Sequence, residues 1–200
     1  MAKIAIDIDD TLVLTVPFFI NYLKSKNIDI YFEGYHTLHH LNKDQIIELM
    51  DFHYSDFINN SKFDELMPID SSKEVLNRLK TKHDLILITS RHPCLESQTK
   101  DWIKHHFENT FSHIEFGRYN EEQRHKGPVH KHIICKELNV DLLIDDVYST
   151  AYNCAKENIP VILFNYNNNY EWSKGPISKN IFPAKNWIEV EEKIKLILKE

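Results

Sequence analysis

Two observations predict an α/β fold with a doubly wound, Rossmann-like parallel sheet, and a third adds a small helical cap inserted after the first strand. The 200-residue chain carries short apolar runs at Ile4–Ile8, Leu85–Ile88, Leu142–Ile144 and Val161–Phe164, with a weaker one at His113–Phe116. These runs are continuous rather than alternating, as strands buried on both faces of a parallel sheet require. Amphipathic helical patterns separate them, and such alternation defines an open α/β sheet. The third observation is one interval that is too long. About eighty residues separate the end of the first run from that of the second, whereas a βαβ unit needs only ~30.

Taken in order, the excess falls at residues 16–67 and reads as helix. Pro17 can open one helix over Phe18, Phe19, Tyr22 and Leu23. Asn42 can cap another over Ile46, Met50, Tyr54 and Phe57. This segment holds ten of the twenty Phe and Tyr residues, most of them expected as the core of the cap. Residues 1–15 and 68–200 then form the α/β domain. Within it, Ser71-Ser72-Lys73-Glu74 has capping-box spacing ahead of Val75, Leu76 and Leu79. Helices are expected over Leu95–Phe107, around Tyr148, Ala151, Tyr152 and Ala155, and over Trp187–Ile197. Asn165–Tyr170 reads as a polar loop.

Composition narrows the function. A formal charge of −6 argues against long duplex nucleic acid as a partner. Three cysteines without Cys-x-x-Cys spacing make neither a disulfide framework nor a thiolate zinc site, and point to a cytoplasmic protein. No apolar run approaches a membrane span, and carboxylates at positions 7, 9 and 10 do not suit a signal peptide. Twelve histidines include His36, His39, His40 and His53, yet none has zinc-ligand motif spacing, so a His-rich polar surface is the expectation.

The chemistry gathers at strand ends, where open α/β sheets bind ligands. The first strand ends Asp7-Ile8-Asp9-Asp10-Thr11 and a later one Leu142-Leu143-Ile144-Asp145-Asp146. Either alone is an ordinary acidic turn. Two in one sheet repel unless a cation joins them, and hard oxygen donors select Mg²⁺ or Ca²⁺. The second strand ends Thr89-Ser90-Arg91, where a hydroxyl and a helix N-terminus suit a phosphate oxygen, or simply cap the helix. Lys131, fourteen residues before Asp145, can offset charge on a transferring group. Lys126 and Lys136 are its competitors.

In this order the motifs resemble those of the haloacid dehalogenase superfamily of phosphohydrolases: Asp7-x-Asp9-x-Thr11, Thr89, Lys131 and Asp145-Asp146. Asp10 stands where many members have Gly. The helical cap, Ile88-Thr89-Ser90-Arg91 and Leu143-Ile144-Asp145-Asp146 are most similar to the cytosolic 5'(3')-deoxyribonucleotidases and their small bacterial relatives. The resemblance implies a Mg²⁺-dependent phosphomonoesterase acting on small molecules, with nucleoside monophosphates as the expected substrates. It implies Asp7 as nucleophile, forming an aspartyl-phosphate, and Asp9 as general acid and base. Asp7, the Asp9 backbone carbonyl and Asp146 would hold the metal. Asp145 would hold Lys131 or a metal-bound water, and Thr89, Ser90 and Lys131 would bind phosphate. Animal members stack the base on an aromatic eight residues after the nucleophile. Here that position is Thr15, so Phe18 or Phe19 would have to take its place; Arg91, at a helix start, is a further candidate substrate contact or a structural residue. A polynucleotide 3'-phosphate or a sugar phosphate is the alternative substrate, and a catalytically silent binding protein the alternative class.

Overall fold

The apolar runs at 4–8, 85–88, 142–144 and 161–164 become strands because their side chains are covered on both sides, whereas the weaker run at 113–116 forms a partly exposed edge strand. A computed structural model describes residues 1–28, 53–59, 65–91, 93–118 and 129–199. The strands are β1 (Lys3–Ile6), β2 (Asp84–Ile88), β3 (His113–Glu115), β4 (Leu142–Asp145), β5 (Val161–Phe164) and β6 (Ile181–Ala184). They form one six-stranded sheet in the order β3-β2-β1-β4-β5-β6, with every pairing parallel. The helices are α1 (Thr15–Ser25), α2 (Ser55–Asn59), α3 (Ser72–Leu79), α4 (Glu96–His106), α5 (Lys131–Glu137), α6 (Tyr148–Lys156) and α7 (Trp187–Leu198).

Alternate residues of each strand feed two separate apolar layers. Ile4, Ile6, Leu85, Leu87, Ile144 and Ile162 pack against α1, α3, α4 and α7. Ala5, Ile86, Ile88, Leu143, Val161 and Leu163 meet α5 and α6 on the other face. The fold is therefore doubly wound, as its sequence predicts. Two buried tryptophans tie the first layer to loops. Trp102 donates its indole N–H to the Leu66 carbonyl at 2.8 Å, and Trp187 donates to the Thr11 carbonyl at 3.1 Å, so each buries a large ring without leaving its polar atom unpaired.

The sequence did not signal β6, a four-residue strand interrupted by Pro183. Proline is tolerated there because β6 is an edge strand. The capping box expected at Ser71 does not form either. Ser71 has φ 63°, in the left-handed region rather than the extended backbone that an N-cap takes, and makes no side-chain cap. By contrast, Asn186 caps α7 by accepting from the Glu189 N–H at 2.9 Å. Pro17 lies in the first turn of α1, which begins two residues earlier. The expected helix start at Asn42, with Ile46 and Met50, falls outside the described residues, as do His36, His39 and His40.

The chain departs for the 16–67 segment and returns from it at adjacent points. Val13 bridges Pro68, and the Ile69 N–H donates to the Leu12 carbonyl at 2.8 Å. Of that segment, α1 and α2 meet through an aromatic cluster, with Phe19 5.3 Å from Tyr54 and 5.6 Å from Phe57 between ring centroids.

Candidate active site

The strand order reverses between β1 and β4, where successive crossovers leave in opposite directions and a crevice opens at the carboxyl ends. The Asp7 N–H donates to the Ile144 carbonyl at 2.9 Å, which sets the two acidic strand ends side by side. Among the described residues, Asp7, Asp145 and Asp146 form a group whose carboxylate oxygens lie within 4.8 Å of one another. All three are buried.

Lys131, at the first position of α5, bridges two of them. Its Nζ lies 2.7 Å from Asp7 Oδ2 and 2.7 Å from Asp145 Oδ2. Burial works against the lysine's charge, but Asp145 and Asp7 outweigh it and hold the ammonium above its usual pKa. Lys136 is exposed on the same helix and pairs with Glu157; Lys126 lies outside the described residues. Burial pushes Asp7 up to about 7, with Lys131 opposing the rise and Asp145 and Asp9 adding to it. Burial likewise lifts Asp146 well above the ordinary range, reinforced by Asp145 and Asp7. One lysine is therefore too little positive charge for three buried carboxylates.

Asp7 Oδ1 is buried and accepts no hydrogen bond among the described residues. Such an atom is costly unless something outside the chain engages it. A set of carboxylate oxygens fits Mg²⁺, a hard cation.

Asp9 lies on the other side of the same loop in a different setting. Arg91 grips it with both edges of its guanidinium, Nε to Oδ2 at 2.9 Å and Nη2 to Oδ1 at 2.6 Å. Thr15 donates to Oδ1 at 2.6 Å, and the Tyr54 hydroxyl also donates to this carboxylate. Burial alone would raise Asp9, but Arg91, Thr15 and Tyr54 hold it below its usual value. Arg91 is itself buried and braced by Thr99 at 2.9 Å. Asp10 takes the turn at φ 54°, the left-handed region that favours glycine. Its carboxylate accepts from the Val16 N–H at 3.2 Å.

The other sequence-derived candidates are spread around this centre. Thr89 is buried at the end of β2, where its hydroxyl accepts from the Arg91 N–H at 3.1 Å. The Ser90 side chain is exposed. Phe18 is 48% exposed, whereas Phe19 is buried in the aromatic cluster of α1 and α2. Three contacts escaped the sequence. Tyr54 reaches Asp9 from the inserted segment, Thr15 binds the same carboxylate, and Trp172 donates to Asp146 Oδ2 at 2.5 Å. Sequence patterns showed Tyr54 only as one aromatic among many and gave no sign for Trp172.

The chain matches no family model. Its structure is similar to a haloacid dehalogenase-like hydrolase, SP0104 of Streptococcus pneumoniae, with a TM-score of 0.68 at 16% identity, covering 97% of this chain and 98% of that one. It is also similar to YfnB of Bacillus subtilis, a structure bound to magnesium, with a TM-score of 0.61 at 12% identity over 96% and 98% of the two chains. With paired acidic strand ends at the switch point of this fold, the chain belongs to the haloacid dehalogenase superfamily of hydrolases. Within it, the chain is 31% identical over 193 residues to a Bacillus subtilis protein named "Putative nucleotidase YqfW", covering 94% of this chain and 91% of the relative. Among the described residues, no helix is long and apolar enough to cross a membrane.

Proposed function

We propose that the protein is a cytoplasmic, Mg²⁺-dependent phosphomonoesterase acting through an aspartyl-phosphate on Asp7, with nucleoside 5'-monophosphates as substrates. The observation that carries the catalytic part is Asp7 Oδ1, buried without a partner beside Lys131 and two further carboxylates. The nucleotide part is supported by the name of the 31% identical relative and by the aromatic inserted segment.

Asp7 attacks phosphorus and displaces the alcohol oxygen, which takes a proton from Asp9. Water then attacks the phosphoryl group, gives its proton to Asp9 and releases inorganic phosphate, restoring Asp7. Asp9 is held here as a carboxylate by Arg91, the form the second step needs. A phosphate dianion entering beside Asp9 adds like charge, which raises the carboxylate's affinity for the proton that the first step needs. Lys131 holds Asp7 in place and offsets phosphoryl charge, while Asp145 fixes Lys131. Thr89 and Ser90, at the end of β2, bind a phosphate oxygen.

Asp7, Asp146 and the Asp9 backbone carbonyl would hold the Mg²⁺, which when bound supplies charge neutralisation on the phosphoryl oxygens. The segment at 16–67 acts as a cap that excludes water and selects the substrate, with Phe18 at its exposed edge as a contact for the base.

The test is a panel of phosphomonoesters, including every deoxynucleoside 5'-monophosphate, assayed with Mg²⁺ and with EDTA. Turnover is expected only with Mg²⁺ and fastest on nucleotides. Equal rates on esters without a base would reject the nucleotide assignment, and full activity in EDTA would reject the metal.

A further inference from the structure

The hydrogen bonds around the acidic cluster leave a particular set of oxygens open. Asp145 is fully engaged, with Lys131 on Oδ2 at 2.7 Å and the Val147 N–H on Oδ1 at 2.9 Å. Asp7 has Lys131 on Oδ2 and no partner on Oδ1. Asp146 has the Trp172 indole N–H on Oδ2 at 2.5 Å, and on Oδ1 only the Thr11 hydroxyl at 3.4 Å. Each of the two remaining carboxylates thus offers one oxygen.

The Trp172 contact is firmly built. The ring is buried and stacked on Tyr170 with centroids 4.6 Å apart and an interplanar angle of 13°. Asn165 clamps Tyr170 through its backbone N–H at 2.7 Å and carbonyl at 3.2 Å. Ser173 ties the same turn to the Asp146 and Phe164 carbonyls. An indole held this way cannot swing off Asp146 without unstacking.

Coordination number makes the difference matter. Ca²⁺ takes six to eight oxygens and readily accepts both oxygens of one carboxylate, whereas Mg²⁺ demands an octahedron and keeps several waters. We propose that Trp172 is a metal-selectivity residue: by occupying Asp146 Oδ2 it restricts that carboxylate to one open oxygen, so the site favours Mg²⁺ over Ca²⁺. This rests on the magnesium reading above. Trp172 touches neither substrate nor metal and acts through Asp146, as a positioning residue.

Calorimetric titration of the whole protein with MgCl₂ and with CaCl₂, without substrate, tests it. Wild type should bind Mg²⁺ at least as tightly as Ca²⁺. In Trp172→Phe the ratio Kd(Ca)/Kd(Mg) should fall by ~10-fold, on the scale at which outer-shell partners of ligating side chains move metal affinity. Trp172→His, which keeps an N–H, should restore part of the wild-type ratio. A purely structural role would weaken both ions alike and leave the ratio within ~3-fold of wild type, well below the effect expected of a ligand-orienting group, and that result overturns the proposal. Tighter Ca²⁺ than Mg²⁺ binding by wild type overturns it with no variant needed, so a Trp172→Phe protein that fails to fold does not protect it. If wild type binds neither ion, the magnesium reading falls and this inference with it; if wild type binds Mg²⁺ and the ratio does not move, only the inference falls.

Discussion

Asp7 and Asp9 stand two residues apart at the end of β1, yet among the described residues Asp9 is met by Arg91, Thr15 and Tyr54, and Asp7 by the Lys131 ammonium alone. Their titration diverges accordingly, Asp9 held low and Asp7 pushed up to about 7. Burial is not the cause, since it raises both. What separates them is the chain's own donors, gathered on Asp9 from α1, the inserted segment and the loop after β2. A fold able to satisfy one carboxylate so fully leaves an oxygen of the other bare. On the proposal above, that asymmetry leaves Asp7 available as the nucleophile and holds Asp9 in place for proton transfer.

Exchanging each carboxylate for its amide tests the contrast most severely. Asp7→Asn should lose several orders of magnitude in kcat/KM, because an amide neither attacks phosphorus nor ligates a cation as a carboxylate does. A loss under ~10-fold, or ~1.4 kcal/mol, would remove Asp7 from the nucleophile's role. Asp9→Asn should lose less, ~10²–10⁴-fold, the range for general acid–base groups. If Asp9→Asn proves the more damaging of the two, the assignment is reversed.

Arg91→Met comes next, because it strips the main counter-charge from a buried carboxylate. Breaking such a pair costs ~3–5 kcal/mol when both partners are buried. The Asp9 side chain is 15% exposed, so the low end of that range is expected in urea unfolding. A cost near zero would mean that Asp9 is held by Thr15 and Tyr54 alone.

Phe18 and Phe19 repeat the contrast one level out, as sequence neighbours in opposite settings. Phe19→Leu should destabilise the protein by ~1 kcal/mol through lost packing, with the preference for nucleotides over base-free esters unchanged. Phe18→Leu should leave stability within ~0.5 kcal/mol, as surface changes do, and reduce that preference. A preference unchanged in Phe18→Leu would exclude it as a base contact.

The smallest effect lies outside the site. Burial, with Lys73 and His105 nearby, lowers His106 to about 4 from 6.5. The unfolded chain therefore takes up that proton first, so this contribution is complete above about 6.5 and lost as pH falls towards about 4. Thermal stability of His106→Gln should decline less over that window than wild type does; an equal slope would dismiss His106 as a source of acid lability.

The site's acids were legible in the sequence because strand-end chemistry is local. Asp7 and Asp145 directly follow apolar runs, Asp146 and Asp9 come one and two residues after them, and the sheet brings the runs together. Lys131 could be chosen over Lys136 only by its place at the start of α5, facing the strands. Trp172 and Tyr54 could not be found that way. Each meets its carboxylate through a long-range contact, 26 residues from Asp146 in the case of Trp172, and no local period records it. The sheet was legible except for β6, where Pro183 removes the usual sign of a strand. At Ser71 the local motif was present, but the incoming turn set a backbone angle that disabled it.

The two rims of the sheet bear on how copies of this chain can meet. The carbonyls of Asn180, just before β6, and of Ala184 at its end accept from the N–H groups of Val161 and Asn165, which turns the backbone groups of Ile181 and Pro183 towards the open rim. The Ile181 N–H is already taken by the Ser178 carbonyl at 3.1 Å, and proline has no N–H to give. That rim offers an approaching strand no backbone donor. The opposite rim, β3, is three residues long, too short to template much pairing. Among the described residues, the β6 rim thus offers acceptors without free donors and the β3 rim is short. Each is a poor template for a further strand, which guards against aggregation. Neither rim, among the described residues, favours self-association by extension of the sheet.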